Sequence, residues 1–478
     1  MAITLAQQPY DVDVAIIGAG SAGLRAYRAA LAHTDRVALI EGGPYGTTCA
    51  RVGCMPSKLL ISAADAVHHV EQAGLFGVEV DAPVVNGPAV MDRVRRERDR
   101  FVGFVVESTE AIDEAHRIKG YARFIDAHTL QIGDRRLTVK SVVIATGSRP
   151  NVLPMFEGLG DRLIVNDDIF DWTDLPASVA VFGPGVIGLE LGQALARLGV
   201  KVRIFGKGGF VGPITDPVLL AEATALFQEE LALQPDAEVH SLERVEQGVA
   251  VTFDDANGER VTEIFEYVLA ATGRRANVDS IGLEHTGLTL DRRGVPVFDS
   301  STMQAGNSHI FIAGDVNNDR PLLHEAADEG AIAGDNAARW PAAAQAGLRR
   351  SPIAVVFSDP QIALVGQTHR ALVVEGADFV IGDVSFADQG RSRVMGVNRG
   401  SLRVYASVQT GRFLGAEMVG PRAEHMAHLL AWSHQQGLTI DQMLDMPFYH
   451  PVVEEGLRTA LRNAQAALRT ASRFEASA

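Results

Sequence analysis

Two strand–glycine-turn–helix units and a change of character near residue 347 predict an α/β chain: two Rossmann-like dinucleotide-binding domains followed by a C-terminal α+β domain. The first unit runs from the apolar strand Val12–Ile17 through Gly18-Ala19-Gly20-Ser21-Ala22-Gly23 into an alanine-rich helix over about 24–32. The second runs from Val179–Phe182 through Gly183-Pro184-Gly185-Val186-Ile187-Gly188 into a helix ending near Leu198. In each, the glycines permit the turn and a close backbone approach, and the helix N-terminus faces a pyrophosphate. A length of 478 residues accommodates about three domains.

The first unit continues with a strand from Arg36 to Ile40 that ends at Glu41, the position from which a carboxylate reaches ribose hydroxyls. Helices are expected over 58–74 and 88–114, the arginine run Arg93 to Arg100 being a solvated face, and short strands over 120–137. The strand Val142-Val143-Ile144 leads into Ala145-Thr146-Gly147-Ser148-Arg149-Pro150, where a proline marks a domain edge. Lys201–Phe205 is the second strand of the second unit, and Val268-Leu269-Ala270-Ala271-Thr272-Gly273-Arg274 echoes the earlier stretch. The strand His309–Ile312 delivers Asp315 to a C-terminal strand end, where α/β sheets place ligand-binding groups. Strands over 354–357, 363–365, 379–386, 401–406 and 413–419 precede further helices. The divisions are 1–150 with 278–346, 151–277, and 347–478.

The formal net charge of -16 argues against nucleic acid or an anionic membrane as a partner. No apolar run is long enough to span a bilayer. Met1 to Tyr10 has neither the basic region nor the apolar core of a signal peptide, so the cytoplasm is the expected compartment.

The only two cysteines, Cys49 and Cys54, lie together in Gly46-Thr47-Thr48-Cys49-Ala50-Arg51-Val52-Gly53-Cys54-Met55-Pro56-Ser57-Lys58. On a regular helix this spacing separates them by about 7.5 Å along the axis. A disulfide needs Cα atoms roughly 4.4–6.8 Å apart. Pairing therefore requires an irregular turn, which Gly53 permits, and a bridge held this way is easily reduced. Redox chemistry is the leading reading of these residues alone. Two inert buried thiols, or a metal pair with His68 and His69 nearby, are the others. Near the C-terminus, His450-Pro451 stands five residues before Glu455, either a proton-transfer pair or a turn with a capped helix.

Taken together, the cysteine stretch ending in Pro56-Ser57-Lys58, the Ala313-Gly314-Asp315 strand end and the His450-Pro451 signature resemble the flavin-dependent pyridine nucleotide–disulfide oxidoreductases. Within that family they are most similar to the lipoamide-type enzymes. The resemblance runs from about Asp11 to about Glu455. It implies FAD at the first nucleotide site, NAD or NADP at the second, and a homodimer built through the C-terminal domain. It implies that Cys54 faces the flavin and that Cys49 exchanges with the substrate. His450, oriented by Glu455, comes from the other subunit, and Lys58, paired with Glu190, stands at the flavin's reactive nitrogen. Gly18, Gly20, Gly23, Glu41, Thr48, Lys58, Thr146, Gly147 and Asp315 are the implied FAD positions. Gly183, Gly185, Gly188, Glu190, Lys207 and Gly273 are those for the nicotinamide nucleotide. The implied substrate is a small-molecule or lipoyl-domain dithiol or disulfide, in the latter case within a 2-oxoacid dehydrogenase complex. A glutathione-reductase-like enzyme, or an electron-transfer flavoprotein without disulfide chemistry, are the alternative functions.

The sequence departs from the lipoamide pattern at Gly46-Thr47-Thr48-Cys49-Ala50-Arg51, which replaces Gly-Gly-Thr-Cys-Leu-Asn and sets a cation between the thiols. It also ends the second strand of the second unit in Gly206 and Lys207 rather than an acid, which favours NADPH or dual use. Val186 and Ala331 lie where glutathione reductases carry an aromatic gate and an arginine, whereas Leu323-His324-Glu325-Ala326 matches the lipoamide segment. The C-terminus carries no cysteine pair of the mercuric-reductase kind.

Overall fold

The computed structural model describes residues 10–475, so the N-terminal stretch read above for targeting lies almost wholly outside the described residues. Two compact units emerge. One comprises residues 10–56, 95–151 and 274–350, and the other 57–94, 152–273 and 351–475.

The first unit is built on a parallel sheet ordered Arg117–Lys119, Val37–Glu41, Val12–Ile17, Arg135–Ile144 and Ile310–Ile312. Its central residues, Val14, Ala15, Ile16, Val142, Val143 and Ile144, are fully buried. Such strands read as unbroken apolar runs because both sheet faces are covered, and each large aliphatic contributes about 1.5–3 kcal/mol of burial. The helix Ser21–Ala30 covers one face and packs tightly on Leu323–Arg339. Gly330 and Gly334 permit that approach, since a Cβ at either would stand 2.2 Å from the Ala22 or Ala26 carbonyl oxygen. The expected strands over 120–137 are an antiparallel meander, Ala122–Asp126, Thr129–Ile132 and the first half of Arg135–Ile144. The echoed segments of the sequence meet here as a two-stranded antiparallel ribbon, Ser148–Pro150 against Arg274–Ala276.

In the second unit, a parallel sheet ordered Ala232–Gln234, Lys201–Phe205, Ser178–Phe182, Tyr267–Ala270 and Leu163–Ile164 carries the second glycine turn. A separate five-stranded antiparallel sheet, ordered Ile353–Val356, Gln361–Gly366, Phe413–Gly420, Ser401–Ser407 and Phe379–Ser385, fills the C-terminal part. Helices Ala423–Gln435 and Glu455–Glu475 pack on it. Its strands fall within two residues of those expected, because their alternation is regular. The helix expected over 58–74 instead starts at Cys54 and ends at Glu71, with a 3₁₀ turn after it. No helix among the described residues is long and apolar enough to cross a membrane.

Candidate active site

Thr48–Val52 forms one short helix and Cys54–Glu71 another, with Gly53 between them at φ −130°, ψ −116°. The irregular turn required by the cysteine spacing is therefore present, and it falls at the glycine. A Cβ at Gly53 would crowd the Thr48 carbonyl oxygen at 3.1 Å and the Cys49 Cα at 3.3 Å. Cys49 is half-buried and Cys54 exposed. Thr47 caps the first helix, its Oγ1 accepting the Ala50 N–H at 3.3 Å. It does so at φ 58°, a conformation that costs a β-branched residue strain beside the cysteines. Arg51 lies on the same helix, its stem packed over Gly46. Among the described residues, no group of three or more His, Cys, Asp and Glu side chains is placed to hold a metal ion.

The first glycine turn is shaped for a pyrophosphate. A Cβ at Gly18, φ +110°, would lie 2.3 Å from the Ala145 carbonyl oxygen, and one at Gly23 would lie 1.8 Å from that of Gly18. A Cβ at Gly20 would meet nothing within 4 Å. The helix that begins at Ser21 has no side-chain cap and no acid in its first turn, so its N–H groups face that open space. Glu41 closes the loop, its Oε2 accepting the Ala19 N–H at 2.8 Å and its Oε1 that of Gly43 at 2.7 Å. Asp315 opens a 3₁₀ turn after Gly314, and its Oδ2 accepts the Ser148 hydroxyl at 2.8 Å. That hydroxyl accepts in turn from Arg274 Nε at 2.8 Å. Below the same turn, the fully buried Glu329 accepts from the Gly314 N–H at 2.8 Å and from Asn317 Nδ2 at 2.7 Å, and pairs with Arg349 at 3.0 Å. Burial pushes the Glu329 carboxyl up to about 7 against these partners. Thr146 holds the Asn277 carbonyl at 2.7 Å, Gly147 takes φ +68°, and Thr48 is exposed. These residues fit the diphosphate and ribose groups of FAD.

The second turn repeats the first. A Cβ at Gly183 would lie 2.4 Å from the Ala271 carbonyl oxygen and one at Gly188 would lie 1.9 Å from that of Gly183, while Gly185 is open. Its helix, Val186–Arg197, likewise lacks a side-chain cap and a first-turn acid. Lys207 is exposed and Gly273 takes φ +92°. Gly206 has a steric reason: a Cβ there would stand 2.3 Å from the Pro235 carbonyl oxygen and 2.8 Å from Pro184 Cγ.

On the Val186–Arg197 helix, Glu190 is 5 % exposed. Its Oε2 binds Lys58 Nζ at 2.7 Å, and its Oε1 accepts the Phe357 N–H at 2.9 Å. The Phe357 ring lies 4.5 Å from the same ammonium. His450 Nδ1 and Glu455 Oε2 are 3.0 Å apart, with the imidazole largely exposed. Burial works against charge on Glu455, yet the Val452 N–H, His450 and Arg458 outweigh it and hold the carboxyl below its ordinary range. Both pairs read from the sequence therefore exist. Phe357, Ser148, Arg274 and Glu329 carried no motif; the echo between Gly147-Ser148-Arg149 and Gly273-Arg274-Arg275 was the one available signal.

Two dinucleotide cradles in a chain whose only cysteines flank a helix break define, as a class, a nucleotide-dependent dithiol–disulfide oxidoreductase. Residues 12–331 match the pyridine nucleotide-disulphide oxidoreductase family, and residues 353–461 match that family's dimerisation domain. The chain belongs to this family and is an FAD- and NAD(P)-dependent oxidoreductase. It is 31% identical to the dihydrolipoyl dehydrogenase of Geobacillus stearothermophilus, over 96% of this chain and 97% of that protein. It is 30% identical to that of Halobacterium salinarum, over 95% and 96%. Among solved structures, the HOCl-induced flavoprotein disulfide reductase RclA of Escherichia coli, as its Cu(II) complex, superposes with TM-score 0.77 at 24% identity, covering 95% of this chain and 99% of that one. LpdA of Mycobacterium tuberculosis gives 0.79 at 23%, covering 94% and 99%. These two likenesses bear on the fold alone.

Proposed function

We propose that the protein is a dihydrolipoyl dehydrogenase-type enzyme, moving two electrons between a dithiol substrate and a nicotinamide nucleotide through Cys49 and Cys54. The observation that carries this reading is the glycine break between the two cysteine-bearing helices, which frees the pair from regular helical spacing. The full-length likeness to dihydrolipoyl dehydrogenases supports the substrate class. In the dithiol-oxidising direction, a substrate thiolate attacks Cys49 Sγ of the Cys49–Cys54 disulfide and Cys54 leaves as the thiolate. The second substrate thiolate attacks the substrate sulfur of the mixed disulfide, and Cys49 leaves. Substrate becomes disulfide, the cysteines become dithiol, and two protons must be taken up from the thiols. His450 Nδ1 faces Glu455, so Nε2 is the atom left to accept a proton, and the low-titrating Glu455 stabilises the imidazolium. Bound FAD supplies the two-electron relay between this dithiol and the nicotinamide. Gly18, Gly20, Gly23, Glu41 and Asp315 hold it, with Thr48, Thr146 and Gly147 beside them, and Lys58 on Glu190 provides a fixed positive charge for its reduced form.

The match to a dimerisation domain supports a homodimer, in which His450 and Glu455 serve the partner's cysteines. We assign the second cradle (Gly183, Gly185, Gly188, Gly273) to a nucleotide bearing a 2′-phosphate. Gly206 offers no carboxylate to repel that group, and the exposed Lys207 can pair with it. A cytoplasmic lipoyl domain of a 2-oxoacid dehydrogenase complex is the natural dithiol. Steady-state turnover with lipoamide and with oxidised glutathione, each with NADH and NADPH, tests the reading. Lipoamide turnover that disappears in Cys49→Ser supports it. Full activity in Cys49→Ser overturns the disulfide mechanism, and reduction of glutathione alone overturns the substrate class.

A further inference from the structure

The two helices that hold the Lys58 ammonium continue into a second set of contacts that the chemistry above does not use. Glu190, Gln193 and Arg197 follow one another at three- and four-residue intervals and so share a face of the helix Val186–Arg197. Lys58 and Asp65 are seven residues apart on the helix Cys54–Glu71, about 10.5 Å along its axis. At the near end stand Lys58, Glu190 and Phe357, as described. At the far end Arg197, its side chain 4% exposed, binds Glu230 through Nε at 2.5 Å and Nη2 at 3.0 Å. It also binds Asp359 through Nη2 at 2.9 Å and approaches Asp65 with Nη1 at 3.4 Å. Between the two ends, Gln193 accepts the Asp359 N–H at 2.8 Å and donates to the Asp359 carbonyl at 2.7 Å and to Glu230 at 2.8 Å. His68 and Arg399 each stand 3.6 Å from the Asp359 carboxylate.

The short segment Phe357–Asp359 is thus gripped at both ends by one helix face. Its Phe357 end touches Lys58, and its Asp359 end touches Arg197. An ion cluster that merely glued helices together would not need to share a three-residue segment with the ammonium it lies two turns from. We propose that Arg197 is a positioning residue for Lys58. By fixing Asp359 and Asp65 it sets the spacing of the two helices and the height of Phe357, and so keeps the ammonium at one place on Glu190. This rests on the reading of Lys58 as the fixed charge for reduced flavin.

The test is the midpoint potential of the bound flavin, followed by its absorbance in the purified holoenzyme, for wild type, Lys58→Met, Arg197→Met and the double variant. Such a cycle isolates coupling from general damage. Lys58→Met is expected to disfavour the reduced flavin. Arg197→Met is expected to weaken the preference for reduced flavin about tenfold, or about 30 mV for a two-electron couple. In the Lys58→Met background it is expected to add nothing. Asp65→Asn, at the more exposed edge of the cluster, is expected to act in the same direction by a few-fold and stands in should Arg197→Met fold poorly. A wild-type potential in Lys58→Met overturns the lysine reading and the proposal with it. A shifted Lys58→Met beside unshifted Arg197→Met and Asp65→Asn, or an Arg197→Met shift that persists without Lys58, overturns the proposal alone.

Discussion

In the Gly18 fold a strand-end carboxylate reaches back over the glycine turn; in the Gly183 fold the same strand end is bare. The turns themselves are alike. Their first and third glycines would place a Cβ 2.3 and 1.8 Å from backbone oxygens in one, 2.4 and 1.9 Å in the other, and their middle glycines are both open. The difference lies in two coupled positions. Ala19 donates its N–H to Glu41 in the first fold. Pro184, its counterpart, has no N–H, and its ring occupies the space a side chain at 206 would need. A carboxylate at the second strand end could neither fit nor find its donor. The loop proline and the missing acid are therefore coupled, and the 2′-phosphate assignment proposed above rests on both positions.

The glycines offer the sharpest way to break the likeness. Gly23→Ala and Gly188→Ala each force a Cβ into a carbonyl oxygen, a local cost of several kcal/mol. Gly23→Ala is expected to purify without its yellow cofactor. Gly188→Ala is expected to keep the flavin but to bleach at least a hundredfold more slowly with nicotinamide nucleotide in stopped flow. Equal loss of flavin in both would show that the two folds do not divide the nucleotides.

Glu329, beneath the Asp315 turn, belongs to the first fold only. Its folded pKa of about 7 stands above the ordinary carboxyl value, so its contribution to stability is full below about pH 4.5 and is lost as pH rises through 7. Glu329→Gln removes this drift. Between pH 4.5 and 8 the wild type is expected to lose on the order of 3 kcal/mol relative to the variant, read as a closing gap in denaturation midpoints. Parallel pH profiles would contradict it. Smaller again, Glu41→Gln exchanges charge-assisted bonds for neutral ones, and the flavin is expected to bind about tenfold more weakly, roughly 1.4 kcal/mol, in fluorescence titrations. The smallest effects concern the second strand end. Lys207→Ala is expected to lower kcat/KM for NADPH a few-fold and leave NADH unchanged. Gly206→Glu is expected to impair both nucleotides, because its Cβ would stand 2.3 Å from the Pro235 carbonyl oxygen.

The glycine turns, Glu41, the cysteine pair and the His450–Glu455 pair were legible because their chemistry is local, resting on spacings of a few residues. Even the break at Gly53 follows from the distance two cysteines must close. Lys58 with Glu190, 132 residues apart, was legible only through the family resemblance. Phe357 and the Arg197 cluster were not legible at all, since contacts between segments far apart leave no periodic trace. The ribbon joining Ser148–Pro150 to Arg274–Ala276 lies between. Its two halves echo each other in sequence, but nothing in the echo says that they pair. The consequence of Pro184 was hidden for another reason: a missing N–H matters only once the acid it fails to hold is located.

The most direct measurement exploits the chain's having two cysteines and no others. Thiols are titrated under denaturing conditions in the oxidised holoenzyme and again after anaerobic reduction by nicotinamide nucleotide. Electron passage through the Cys49–Cys54 pair predicts none before and two per chain after. A flavin that bleaches fully while the thiol count stays unchanged would contradict it.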